Sequence, residues 1–322
     1  MEKKRLSSGN AALLVMLWAA SLLIMQLISQ LVAPLLTEGW MKFTWTGLVE
    51  LAFILIPLLV VSLVSGVNGI ACIGSPKGDG KAIALAAGIA LTGYPVMLLL
   101  QNLWILMLKS GGAVPEQVIL PEMKGIFDLG IAILSVAGCA AFAEEIAMRG
   151  VLMPGLQRRM GNKGAVIITA AVFAAMHGSF SALPYTFLLG WLMCWMALRS
   201  RSLFPAMTFH FVNNAVATVL SFVSQEVMDG QMTEIMEITP QVQLMSVISL
   251  GFTALPAAGV LAVLLYFYRR VTPGVLPVER ERGNGLWWLP LAVGALVFGV
   301  MVINSAFYEF SGGAACVSMW FA

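Results

Sequence analysis

Two histidines, His177 and His210, are the only imidazoles in a chain of 322 residues, and both lie in apolar runs. The first closes Phe173-Ala174-Ala175-Met176-His177, and the second opens His210-Phe211-Val212-Asn213-Asn214. A third polar cluster, Glu144-Glu145-Ile146-Ala147-Met148-Arg149-Gly150, ends another apolar run. Ionisable groups within apolar membrane segments are costly to bury and mark functional sites by default.

Spacing separates their roles. On a helix, Glu145 and Arg149 are four apart and share a face, with the acid N-terminal to the base, the favourable order. Glu144 points about 100° away, so Glu145 is the natural partner of Arg149 and Glu144 has none nearby in sequence. A partly desolvated carboxylate of that kind suits general-base work. The segment reads equally as a capping ion pair at a membrane interface, with Glu144 facing water. His210 and Asn214 are four apart on one helical face. His210 can hold a water or a metal, or donate to a reacting carbonyl, and Asn214 offers two N–H donors to a developing oxyanion. Asn213 lies about 100° off that face and is the lesser candidate. The structural alternatives are a buried His–Asn pair and, for His177, a helix-packing histidine. Together, a glutamate, two histidines and an amide from three apolar runs are the parts needed to activate water and polarise a peptide carbonyl. No serine stands in a nucleophile-elbow context and no His-Glu-x-x-His motif occurs. Cys139 lies five residues from Glu144 with no histidine local to it, so a cysteine mechanism is unmotivated.

The elements that position these groups follow from composition. The chain is 60% hydrophobic and 11% charged, with mean hydropathy +0.91. Soluble domains carry about 25% charged residues, and disorder requires high charge with low hydrophobicity, so neither class fits. The net charge of +2 is spread over short loops and gives no nucleic-acid footprint. Cys72, Cys139, Cys194 and Cys316 stand singly in or near apolar stretches and read as small hydrophobes.

The expected fold is an all-α polytopic transmembrane helix bundle of about nine spans, within a range of eight to ten. These lie near 11–36, 46–73, 82–108, 125–147, 164–182, 183–198, 204–225, 241–268 and 286–305. The first exceeds a signal-peptide core and lacks a cleavage site, which predicts a retained anchor. With the N-terminus cytoplasmic, 15 of the 18 basic residues fall on cytoplasmic segments, and only Lys42, Lys109 and Lys124 fall outside. The acidic 226–237 loop and the C-terminal tail with Gly312-Gly313 are then outside. Glu50, Gln26, Gln30 and Asp128 are expected to be packing or interfacial groups, since each lies near a span end or lacks an ionisable partner in register. The proline and glycine residues within spans, such as Pro57, Gly88, Pro95 and Pro256, read as kinks and packing points. No internal repeat is visible. Residues 1–124 and 226–322 are expected to be flanking membrane helices around a catalytic core at 125–225.

In that core the sequence resembles the CAAX-processing and bacteriocin-processing family of intramembrane endopeptidases, the CPBP or Abi family, related to the type II CAAX prenyl endopeptidases. The pattern Glu-Glu-x-x-x-Arg, Phe-x-x-x-His and His-x-x-x-Asn reads here as Glu144 to Arg149, Phe173 to His177 and His210 to Asn214, in that order and on separate spans. Met148 stands where many members carry an aromatic residue. The resemblance implies an all-helical membrane protein whose cavity opens toward the cytoplasm or inner leaflet. It implies that Glu144 activates water with His177 positioning it, that His210 and Asn214 stabilise the oxyanion, and that Glu145 and Arg149 organise the site. No obligatory cofactor is expected. Zinc is the alternative, with Glu144, His177 and His210 as its candidate ligands.

The expected function is an intramembrane endopeptidase acting near the C-terminus of a lipidated, CAAX-like or otherwise membrane-held protein or peptide. Its partners would be that substrate and membrane lipids, in a prokaryotic cytoplasmic membrane with the active site toward the cytoplasmic side. Two other readings compete: a non-catalytic scaffold or immunity-type protein, and a transporter whose polar residues line a path. Oligomeric state is not legible. One geometric difficulty stands: Glu144 and His210 fall near span ends, while His177 lies about 19 Å along a helix starting at Gly164. A re-entrant or interfacial helix over 149–160 is one way to let them meet.

Overall fold

The computed structural model describes residues 7–66, 79–115, 120–228, 240–278 and 285–311. Expectations resting on Lys3, Lys4, Arg5, Lys77, Arg280, Arg282, Cys72, Cys316, the tail glycines and most of the acidic loop fall outside them. The described residues form helices and connections, with no strand among them. In order they are α1 (Ser8–Val32), α2 (Gly39–Ser65), α3 (Gly80–Ser110), a composite α4 over 126–152, α5 (Met153–Met176), α6 (Leu183–Ser200), α7 (Phe204–Met228), α8 (Pro240–Val271) and α9 (Leu289–Ser311). In hydrocarbon every backbone polar group must be satisfied within the segment, which selects helices. Hydroxyls inside the spans are satisfied likewise: Thr46, Ser62 and Thr92 each donate to the carbonyl four residues back.

Seven helical stretches among the described residues are long and apolar enough to cross a membrane. The protein is an integral membrane protein. One stretch, Ile126–Met176, has 51 residues and covers two of the expected spans. It reverses at Gly161, whose φ of 74° and ψ of −179° lie outside the helical region and in a region open essentially to glycine alone. With this hairpin opened into two legs and the 18-residue α6 added, the described helices make nine legs, matching the expected count.

The legs alternate in direction. Gly88 of α3 faces Leu264 of α8, and Asn102 meets Gln243, so these two run antiparallel. A Cβ at Gly155 would strike Ala11, placing the start of α1 beside the Gly161 bend. At that end Asn162 donates to the Leu276 carbonyl, Arg199 and Arg201 donate to carbonyls at 269 and 274, and Arg159 lies over Trp287. Lys81, Arg158, Arg159, Lys163, Arg199, Arg201, Arg269 and Arg270 all belong to this basic end. Lys42, Lys109 and Lys124 belong to the opposite end, where Lys124 pairs with Glu38 at 3.4 Å.

The main core joins the inner faces of these legs, with Trp18, Phe53, Met148, Leu152, Phe209 and Phe298 fully or almost fully buried. Pro57 cannot donate to the preceding turn of α2, and in that turn the Ile54 carbonyl accepts the Trp18 indole N–H at 3.2 Å.

Candidate active site

α4 carries the two adjacent glutamates on an irregular helix. It is α-helical over Ile126–Ala132 and Ala140–Glu145 and π-helical over Ile133–Cys139 and Ile146–Leu152. Such wide turns recur at functional sites because they re-aim side chains and carbonyls. Here they flank the Glu144-Glu145 pair on both sides. The Val136 carbonyl, in the first wide turn, accepts from Asn214 Nδ2 at 3.1 Å.

The hairpin resolves the depth difficulty. Glu144 is 17 residues before Gly161 and His177 is 16 after it, so both lie roughly 24 Å from the bend along their legs. Contacts follow the same symmetry: the Arg149 guanidinium lies over the Phe173 ring at 4.7 Å, and these two residues are each 12 from Gly161. The span did not end near 147 as the sequence suggested. The helix runs on to the bend, so Glu144 sits in mid-helix.

At the centre is Glu145, completely buried. Its Oε1 accepts from Arg149 Nη1 at 2.7 Å and from His210 Nδ1 at 3.0 Å. Arg149 is also buried, and its Nη2 donates to the Gly190 carbonyl of α6 at 2.9 Å. Gly190 permits that approach, since a Cβ there would come within 3.0 Å of the Phe173 ring. The Phe173 ring packs edge-on against both His177 and His210, with centroids 5.0 and 6.0 Å apart. One aromatic ring thus braces the arginine and both imidazoles.

Glu144 points the other way, into a cavity of about 720 Å³ that Glu144, His177, His210, Asn213 and Asn214 all line. Its Oε2 lies 3.6 Å from His210 Nε2. His177 donates from Nδ1 to the Phe173 carbonyl at 2.7 Å, which makes Nε2 its proton-accepting nitrogen. Asn214 is oriented by two contacts: its Nδ2 reaches Val136, and its Oδ1 accepts from Asn213 Nδ2 at 3.3 Å. Asn213 in turn donates to the Tyr185 hydroxyl at 3.1 Å. Among the described residues, no group of three or more His, Cys, Asp or Glu side chains is set to hold a metal ion, and Glu144, His177 and His210 do not form one.

Residues 127–216 match the family model for type II CAAX prenyl endopeptidases, Rce1-like. This segment is similar to that family. The match spans both glutamates, Arg149, both histidines and Asn214, so the matched segment contains residues of α4, α5 and α7 that line or brace the cavity. Comparison with curated proteins and with solved structures gave no match.

Two groups were undervalued from sequence. Glu50 of α2, expected to be a packing or interfacial residue, is 4% exposed and lines the same cavity as Glu144, with its buried Oε1 making no hydrogen bond. Glu144 lies on another helix, so no search along the register of Glu50 finds it. The signal was there in the rule that a lone acid in an apolar span is functional by default. Asn213, the lesser candidate by its direction, holds the amide of Asn214. Gln26 also reaches the cavity wall, whereas Gln30 is exposed and Asp128 accepts from the Lys124 backbone N–H at 2.9 Å.

Proposed function

We propose that the protein hydrolyses a peptide bond near the C-terminus of a lipidated, CAAX-like or otherwise membrane-held chain, in a prokaryotic membrane, using water activated by Glu144. The observation that carries this reading is the split between the adjacent glutamates. Glu145 is tied to Arg149 and His210, while Glu144 faces the cavity next to both imidazoles.

A water between Glu144 and His177 Nε2 loses its proton to Glu144 as its oxygen attacks the carbonyl carbon. The carbonyl oxygen becomes an oxyanion held by Asn214 and His210. Asn214 uses one N–H on Val136 and has its second for the oxyanion. His210 directs its Nδ1 hydrogen at Glu145, so donation from Nε2 requires the imidazolium, with the two glutamates as counter-charges. Collapse of the tetrahedral intermediate breaks the C–N bond, and the Glu144 proton passes to the leaving amine. These groups complete the step without a bound ion.

The test is cleavage of membrane-held peptides, prenylated and unprenylated, by purified protein beside Glu144→Gln. Loss of cleavage in a folded Glu144→Gln variant is expected. Undiminished cleavage removes Glu144 as the base, and solute flux that Glu144→Gln alters, with no cleavage by either protein, points to the transporter reading.

A further inference from the structure

The cavity has a direction. Its lining on α7 starts at Phe209 and His210 and climbs through Ala217 to Ser221, away from the basic end. On α3 it runs from Tyr94 to Ile105, toward the end where Lys109 lies. On α2 it uses Thr46 and Glu50, close to the helix start at Gly39, again at the non-basic end. The deep residues Glu144, Phe173, Leu189, Met193, Phe209 and His210 are buried, whereas Gln26, Thr46, Asn102, Ile105, Leu120 and Ser221 are half-exposed. Between the site and the basic end the space is filled: Met148, Leu152, Leu156, Met196, Ala206 and Tyr268 have no exposed surface. The floor of the cavity therefore faces the basic end and its mouth faces the other.

Basic residues mark the cytoplasmic side of a membrane protein. Among the described residues eight lie at the basic end and three, Lys42, Lys109 and Lys124, at the other, with Arg149 buried between. We propose that peptide enters this cavity from the non-cytoplasmic face, so that the substrate is an exported, membrane-held chain. This rests on the peptidase reading above and replaces the expectation of a cytoplasmic-side site. The physical reason is that closely packed side chains block the approach from the basic end.

The experiment reads access and needs no turnover. Ser221→Cys and Thr46→Cys place a thiol at the mouth, and Lys163→Cys places one at the exposed basic bend. Intact cells are treated with a membrane-impermeant maleimide before and after permeabilisation, with wild-type protein giving the background of the native cysteines. The expected result is labelling of both mouth variants in intact cells and of Lys163→Cys only after permeabilisation. The reverse pattern, or mouth variants unlabelled in both conditions, overturns the proposal. An inactive protein with the expected labelling would fault the peptidase reading and leave the direction of access standing.

Discussion

Glu145, Arg149, Asn213 and Asn214 are each held by a partner from another helix, and that decides what their loss does. Arg149 is buried with Glu145 on one side and the Gly190 carbonyl on the other. Arg149→Ala leaves a buried carboxylate without its cation, an error worth about 3–5 kcal/mol. We expect loss of activity together with a clear fall in thermal stability in detergent. A variant that loses turnover but melts like wild type would show that the pair is not structural. Asn214→Ala behaves differently, because it removes a donor aimed into an open cavity. Turnover should fall roughly 10²–10³-fold, as for other single oxyanion donors, with KM little changed. A rise in KM at constant kcat would assign Asn214 to substrate binding. Of these partnerships, spacing along one helix revealed Glu145 with Arg149, because four residues make one turn. It could not reveal His210 on Glu145, Asn214 on Val136 or Glu50 facing Glu144. Those pairs are 65, 78 and 94 positions apart, and only the packing of legs brings them together.

The elements explain why a helix with two wide turns and a sharp hairpin was hard to read. Apolar runs are visible as composition, so the number of legs was legible. Their ends were not, because the basic residues at 158–163 look like a long loop, whereas the helix carries Arg158 and Arg159 up to the bend at Gly161 and resumes directly after it. The decisive residue is Gly161, whose identity does not announce a reversal, since glycine is common within membrane helices. Its backbone lies where an L residue is strained by about 1–3 kcal/mol. Gly161→Ala should destabilise the protein by that amount in a reversible denaturation. Gly161→Asn should not rescue it, since Asn tolerates the left-handed helical region but not a ψ near 180° at positive φ. Full stability in either variant would mean that the bend can move to a neighbouring residue.

At the scale of the molecule, the bundle sets both the charge and the polarity of the space around the substrate. Glu50 and Glu144 line the cavity, and no Lys or Arg is among its lining residues. Arg149, the nearest cation to the reacting groups, has its charge committed to Glu145. A chain bound across the site must place its C-terminal part in this space. A free carboxylate carried deep inside would lose hydration with no cation to replace it, beside two acids that repel it. A peptide short enough to bury its own C-terminus should therefore be a poorer substrate than the same peptide amidated. We expect a difference of at least about tenfold in kcat/KM, equivalent to about 1.4 kcal/mol. Lengthening the peptide beyond the scissile bond, so that its terminus reaches the mouth, should erase the difference. If the short free acid is cleaved as well as its amide, the terminus must be held by neutral donors such as Tyr185 and the Asn213-Asn214 pair, and the acidic lining would play no part in selecting the substrate.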